Sequence, residues 1–193
     1  VGLIKIIKSK ILQKIMSITV TKTTSAPAVS AGLYPARLFS IIRLGHVEGY
    51  QGAITDQVRF TFELPTELSE DGKPAMVSKE SSLTFTDRSF ITKLAKAMGV
   101  DTSGDLDIVT LIGKTCMINL EEKTAKASGN VYVKIESVTP LAKGMKVDDQ
   151  INESFWFDVA AFDDAKFETM PEFLQDKIKG SDEYKDKHQD LAF

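Results

Sequence analysis

DRSFITKLAKAMG, residues 87–99, is where the sequence changes its period. Upstream the apolar residues alternate, but here Phe90, Ile91, Leu94 and Met98 recur at helical spacing and share one face, with Asp87 as the expected N-cap and Gly99 as the stop. A single amphipathic helix is thus set among strand patterns, and its position in their order decides the fold.

Three strands are expected before it. YPARLFSIIRLG (34–45) alternates, with Tyr34, Ala36, Leu38, Ser40, Ile42 and Leu44 on one side and Arg37, Phe39, Ile41 and Arg43 on the other. Across the Gly-rich link GHVEGYQG, QVRFTFELP (57–65) directs Val58, Phe60, Phe62 and Leu64 inward and Arg59, Thr61 and Glu63 outward, and Pro65 ends it. SEDGKP (69–74) is turn chemistry and KESSLTFT (79–86) reads as the third strand. After the helix, KTCMINLEE (114–122) and NVYVKIESVTPL (130–141) give two more, joined through KTAKASG. Strand, strand, strand, helix, strand, strand is the order of an OB-like barrel, a partly open five-stranded architecture that binds oligonucleotides on one face. A five-stranded sheet packed on one helix produces the same string. The expected class is therefore mainly β with α.

Domain organisation follows composition. Residues 32–147 form the β-domain, 148–180 an extension with a helix opened by Pro171, and 181–193 a polar tail ending in Phe. The extension helix, with Phe173, Leu174 and Ile178 on its apolar face, is expected to dock on the barrel or on a neighbouring subunit of a homo-oligomer. Residues 1–31 are a leader. Four lysines and no acid occupy residues 1–15, in a pattern suited to a basic amphipathic helix at a membrane or a partner. Met16, however, opens a run that reads as a natural chain start, so the competing expectation is that the first fifteen residues are upstream sequence.

At 193 residues the chain has room for one sizeable core, and its formal charge of -3 is unevenly spread. From residue 158 onward ten acids face five lysines. One cysteine, Cys116, excludes an internal disulfide, and with two histidines there is no Cys/His cluster for a metal. Phosphate loops, nucleophile elbows and zinc-binding helices are missing, and LIGKT precedes a strand rather than a helix. The acid pairs Asp148–Asp149 and Asp163–Asp164 read as solvated surface. No enzyme activity and no cofactor are expected.

A binding surface remains. Arg37, Phe39, Arg43, Arg59, Lys79, Tyr132 and Lys134 fall opposite the apolar set, and single-strand binders combine such residues because bases stack on aromatic rings while phosphates need cations. The competing reading is that Phe39 and Ile41 pack beneath the extension and the cations solvate the sheet.

GLYPARLFSIIRLG, QVRFTFELP and LIGKTCMINLEE, with PEFLQDKIKGSDEY, resemble OB-fold single-stranded DNA-binding proteins of tailed bacteriophages over residues 32–184. The resemblance implies a non-enzymatic protein that coats single-stranded DNA during phage replication and recombination, in the cytoplasm of the infected bacterial host. It also implies a mobile acidic tail presented to replication proteins, here Asp182, Glu183, Asp186 and Asp190 before Phe193, although Lys185, Lys187 and His188 interrupt the acids. A virion or scaffold protein, joined to others through the β-domain and C-terminal helix, is the alternative.

Overall fold

A computed structural model describes residues 29–68, 72–126 and 128–189. The expected leader up to residue 28, Asp190 and Phe193 lie outside the described residues. The elements run β1 (Gly32–Glu48), β2 (Ile54–Leu68), β3 (Pro74–Ser82), α1 (Phe90–Ala97), β4 (Thr115–Thr124), β5 (Val131–Thr139), β6 (Phe155–Asp158), α2 (Asp164–Glu168), α3 (Glu172–Lys179) and α4 (Asp182–Gln189), with short 3₁₀ turns between some of them. The protein is mainly β with four helices, and none of its described helices is long and apolar enough to cross a membrane.

The strands hydrogen-bond in the order β3-β2-β1-β4-β5, all antiparallel, and β6 adds to β1 in parallel. The sheet stays open rather than closing into a barrel. β3 and β5 form its two edges; between them a side chain reaches across, Lys79 Nζ donating to the Ile135 carbonyl at 2.8 Å. Strand β6, the aromatic segment FWF with Asp158, is a sixth strand that alternation could not announce because it is four residues long.

β1 explains where β6 fits. Its first part, Gly32–Arg37, pairs with β4. A bulge follows between Leu38 and Ser40, and from Ser40 to Arg43 the vacated edge is taken by β6. An inserted residue exchanges the faces of a strand. Ala36, Leu38 and Ile41 accordingly join one cluster, Ile42, Leu44 and Val47 another, and the expected even-odd division of β1 fails at this point.

The inner cluster lies between the sheet and α1. Val58, Phe60, Phe62 and Leu64 of β2 are all fully buried there, as the alternation requires, together with Leu94, Ile118 and Leu120. Ser89, not Asp87, caps α1, its hydroxyl accepting from the Thr92 amide at 3.2 Å. β2 also continues past Pro65 through an irregular segment, and β3 begins earlier than expected, at Pro74. Cys116 sits in this cluster, where burial pushes its thiol up to about 12, out of the range of a reactive thiolate.

The outer cluster forms on the other side of β1, where Phe157, Val159, Phe167, Met170, Leu174 and Ile178 cover Ile42 and Leu44. The extension therefore docks on its own chain. Within the tail expected to be mobile from Ser181, residues 182–189 form the helix α4. Ser181 is fully buried and its hydroxyl accepts from the Tyr184 amide at 3.2 Å, while the Tyr184 ring lies 5.5 Å from Phe162 and 3.9 Å from His188. A capped helix with one aromatic anchor overrides the polar composition that suggested a free segment.

Candidate nucleic-acid interface

The outward side chains of β2 and β3 meet as rungs across the ladder: Gln57 opposite Ser82, Arg59 opposite Glu80, Thr61 opposite Ser78, and Glu63 opposite Met76. Side chains directly opposite on one face touch, which makes each rung a local unit. On the last rung Glu63 is sealed while Met76 stays exposed. Its fully buried carboxylate accepts from the Ile151 amide at 3.0 Å, the Asn152 amide at 2.8 Å and the Asn152 side chain at 2.7 Å, so the chain leading into β6 is tied down over it.

Met76 and the other three rungs border two open grooves, although Gln57 itself is buried. Around Thr61, Ser78 and Met76 lies a largely apolar groove of about 440 Å³, bordered by Phe39 and Ile42 of β1, Phe155 of β6, and Pro171, Phe173 and Leu174 from the extension. Around Gln57 and Ser82 lies a second, more polar groove of about 600 Å³ lined by Glu48, Gly49, Ala53, Thr55, Ser81 and Lys177. Between the two stands the Arg59–Glu80 rung. Arg59 Nη1 donates to Glu80 Oε1 at 3.1 Å, Lys177 of α3 donates to Glu80 Oε2, and the Arg59 guanidinium lies 5.4 Å from the centre of the Phe173 ring.

The seven residues expected to form one binding face fall into three places. Phe39 and Arg59 share the apolar groove. Lys79, Tyr132 and Lys134 belong to the β3 and β5 edges: Tyr132 is 47% exposed, Lys134 pairs with Glu136 at 3.0 Å, and Lys79 stands 5.1 Å from the Phe90 ring. Burial lowers the pKa of Lys79, and the positive charges of Lys134 and Lys93 lower it further against the pull of Glu136.

Arg37 and Arg43 are committed elsewhere. Arg37 donates to the carbonyls of Gly113 at 2.7 Å, Val147 at 3.2 Å and Asp148 at 2.7 Å, fastening the segment after β5 to the start of β4. Arg43 is surrounded by carboxylates, with Asp56 at 2.8 Å, Asp158 at 3.2 Å and Glu183 at 3.7 Å. Its hydrogen bond to Asp56 raises its pKa further, against the effect of burial. Ligand atoms of His46, Asp56 and Glu183 lie within 4.8 Å of one another, but Arg43 already supplies the positive charge at that cluster. Of the acids expected to serve a free tail, Glu183 is half-buried against β1, while Asp182 and Asp186 are exposed on α4.

Met76, Glu80, Phe173 and Lys177 were not among the expected site residues. Glu80 was hidden because the third strand was read from Lys79 onward, which leaves no register with Arg59. Phe173 and Lys177 come from 90 or more positions away in sequence, on a helix whose apolar spacing suggested only docking. No family model matches the chain, and no curated protein matches it either.

Proposed function

We propose that this chain binds single-stranded DNA without sequence preference along the outer face of β2 and β3, as a non-enzymatic component of phage replication and recombination. The carrying observation is the pair of accessible grooves on the two strands that OB-type barrels use for oligonucleotides, with Phe39, Arg59 and Phe173 supplying rings and a guanidinium. The strand order, with α1 between β3 and β4, supports reading the sheet as a partly open OB-like barrel whose edges are bridged by Lys79. Tyr132 and Lys134 on β5 extend the surface beyond the β3 edge. Arg37 and Arg43 act in this reading as internal clasps. The setting, the cytoplasm of an infected bacterium, and the recruitment of replication proteins through the chain's last residues belong to the same proposal.

Fluorescence anisotropy with labelled oligo-dT tests it. Binding is expected to weaken steeply with salt, because each neutralised phosphate releases counterions, and to exceed binding to duplex of equal length. Phe39→Ala should lose about 1–3 kcal/mol, the worth of one stacked base. Equal affinity for duplex, or no binding at low salt, refutes the proposal.

The alternative, a virion or scaffold protein, draws on Trp156 and Phe173, which stay 45% and 58% exposed although the extension has docked. Exposed aromatics are common anchors of protein interfaces. A stable multimer in sedimentation together with no DNA binding would favour it.

A further inference from the structure

The rung between the two grooves has one feature that the rest of the face lacks: two cations converge on one carboxylate. Arg59 of β2 and Lys177 of α3 both donate to Glu80, one to each oxygen, leaving this group with a net charge of +1. Glu80 is fixed from below by the strand register and from above by α3. A carboxylate and a phosphate offer the same oxygen acceptors to such donors, and charge-assisted bonds of this kind are the strong ones.

We propose that Glu80 holds the place of a DNA phosphate, and that α3 is thereby part of the binding site, with Lys177 contacting the backbone and Phe173 offering its ring to a base. This rests on the reading of the β2–β3 face as the DNA site. The groove beyond Glu80 on one side is polar, lined by Gln57, Thr55 and Ser82, and that on the other is apolar, lined by Phe39, Met76 and Phe173. The Arg59–Glu80–Lys177 bridge is what separates them. When Glu80 turns aside and a phosphate takes its two donors, the grooves join into one path and no cation is left without a partner. Phe173, 58% exposed with the Arg59 guanidinium 5.4 Å from its ring centre, offers its free ring face to a base beside that phosphate.

The consequence is an inverted mutational effect: removing an acid at the heart of the site strengthens binding beyond what net charge explains. Oligo-dT affinity is measured against salt for the full chain, for Glu80→Gln, for Lys177→Gln, and for Asp105→Asn, a charge-matched change on an exposed loop away from both grooves. With about 0.7 counterions released per phosphate contact on a single strand, Glu80→Gln should bind about fivefold more tightly at 0.1 M salt and steepen the logarithmic salt slope by about 0.7 relative to Asp105→Asn. Lys177→Gln should weaken binding by about the same factor, which provides a second reading should Glu80→Gln fail to fold by circular dichroism. Binding by the unaltered chain with Glu80→Gln no tighter than Asp105→Asn, or with Lys177→Gln unchanged, overturns the role of Glu80 and α3 while leaving DNA binding intact. No binding by the unaltered chain overturns the functional reading itself.

Discussion

The inner and outer hydrophobic clusters share β1 but are closed by different means. The inner one is sealed by strand alternation and α1, with Phe60, Phe62, Leu64 and Leu94 fully buried in one cluster. The outer one is sealed by a late segment of chain whose edges are held by polar clasps: Glu63 on residues 151–152, Arg37 on 147–148, and Arg43 with His46 on Glu183. A dry core resists opening as a unit, whereas a lid held by ion pairs and side chain–backbone bonds can open locally below the global unfolding free energy. That difference matters for the proposed DNA site, because α3 belongs to the lid.

The largest effects should therefore come from the inner cluster. Phe62→Ala is expected to cost about 3–5 kcal/mol and to destabilise the entire chain in one transition. Ile178→Ala, at a fully buried position of the outer cluster, should cost about 2–5 kcal/mol by the same arithmetic, but hydrogen exchange should quicken first in α3 and α4 while β1 to β5 keep their protection. Uniform loss of protection in both variants would break the comparison, making the extension an inseparable part of one core.

Glu63 comes next. Glu63→Ala deletes the acceptor of two backbone amides and one side-chain amide under a covered surface, and stranded donors of this kind cost about 1–3 kcal/mol. Exchange at Ile151 and Asn152 should rise with little change in α1. Protection retained at these two amides would show that something other than the carboxylate holds the segment, and the clasp would lose its standing.

The same division governs how far the sequence could be read. β2 was legible because every second residue from Val58 to Leu64 is apolar and no bulge interrupts that run, so burial and pattern coincide. β1 was legible as a strand but not in its faces, since the irregularities at Leu38–Ser40 and Arg43–Gly45 leave composition unchanged and each exchanges the faces of the residues beyond it. Of the proposed site, Phe39 and Arg59 could be picked out by residue type on the strands. Glu80 needed the register of β3, and Phe173 and Lys177 needed the docking of a helix 90 residues later, information that no local pattern carries. Arg37 and Arg43 are free cations by residue type, which says nothing of partners, and their partners lie at positions 56, 113, 147, 148, 158 and 183.

The finest distinction between the clusters is pH, since titrating groups fasten the outer one at α4. Both oxygens of Glu183 are engaged by His46, one by its backbone amide at 2.8 Å and one by Nδ1 at 2.8 Å, and the approach is tight enough that a Cβ on Gly45 would sit 2.4 Å from the carboxylate. Gly45, at φ +83°, is the residue that permits it. The hydrogen bond that the His46 ring donates to Glu183 raises the pKa of His46 above 6.5, so its contribution is complete below that value and disappears as pH rises through the folded-state pKa. Burial by itself would push the Glu183 carboxyl up, but the amide and ring of His46 outweigh it and hold its pKa below 4.5, so that contribution is complete above 4.5 and disappears as pH falls through the folded-state value. The two conditions overlap between pH 4.5 and 6.5, where α4 should be held most firmly. Amide exchange in α4, corrected for its intrinsic pH dependence, should be slowest in that window and quicken on either side, with β2 unaffected. His46→Gln should abolish the rise on the alkaline side while leaving the acid side in place; a profile unchanged by that substitution would assign the alkaline release to another group.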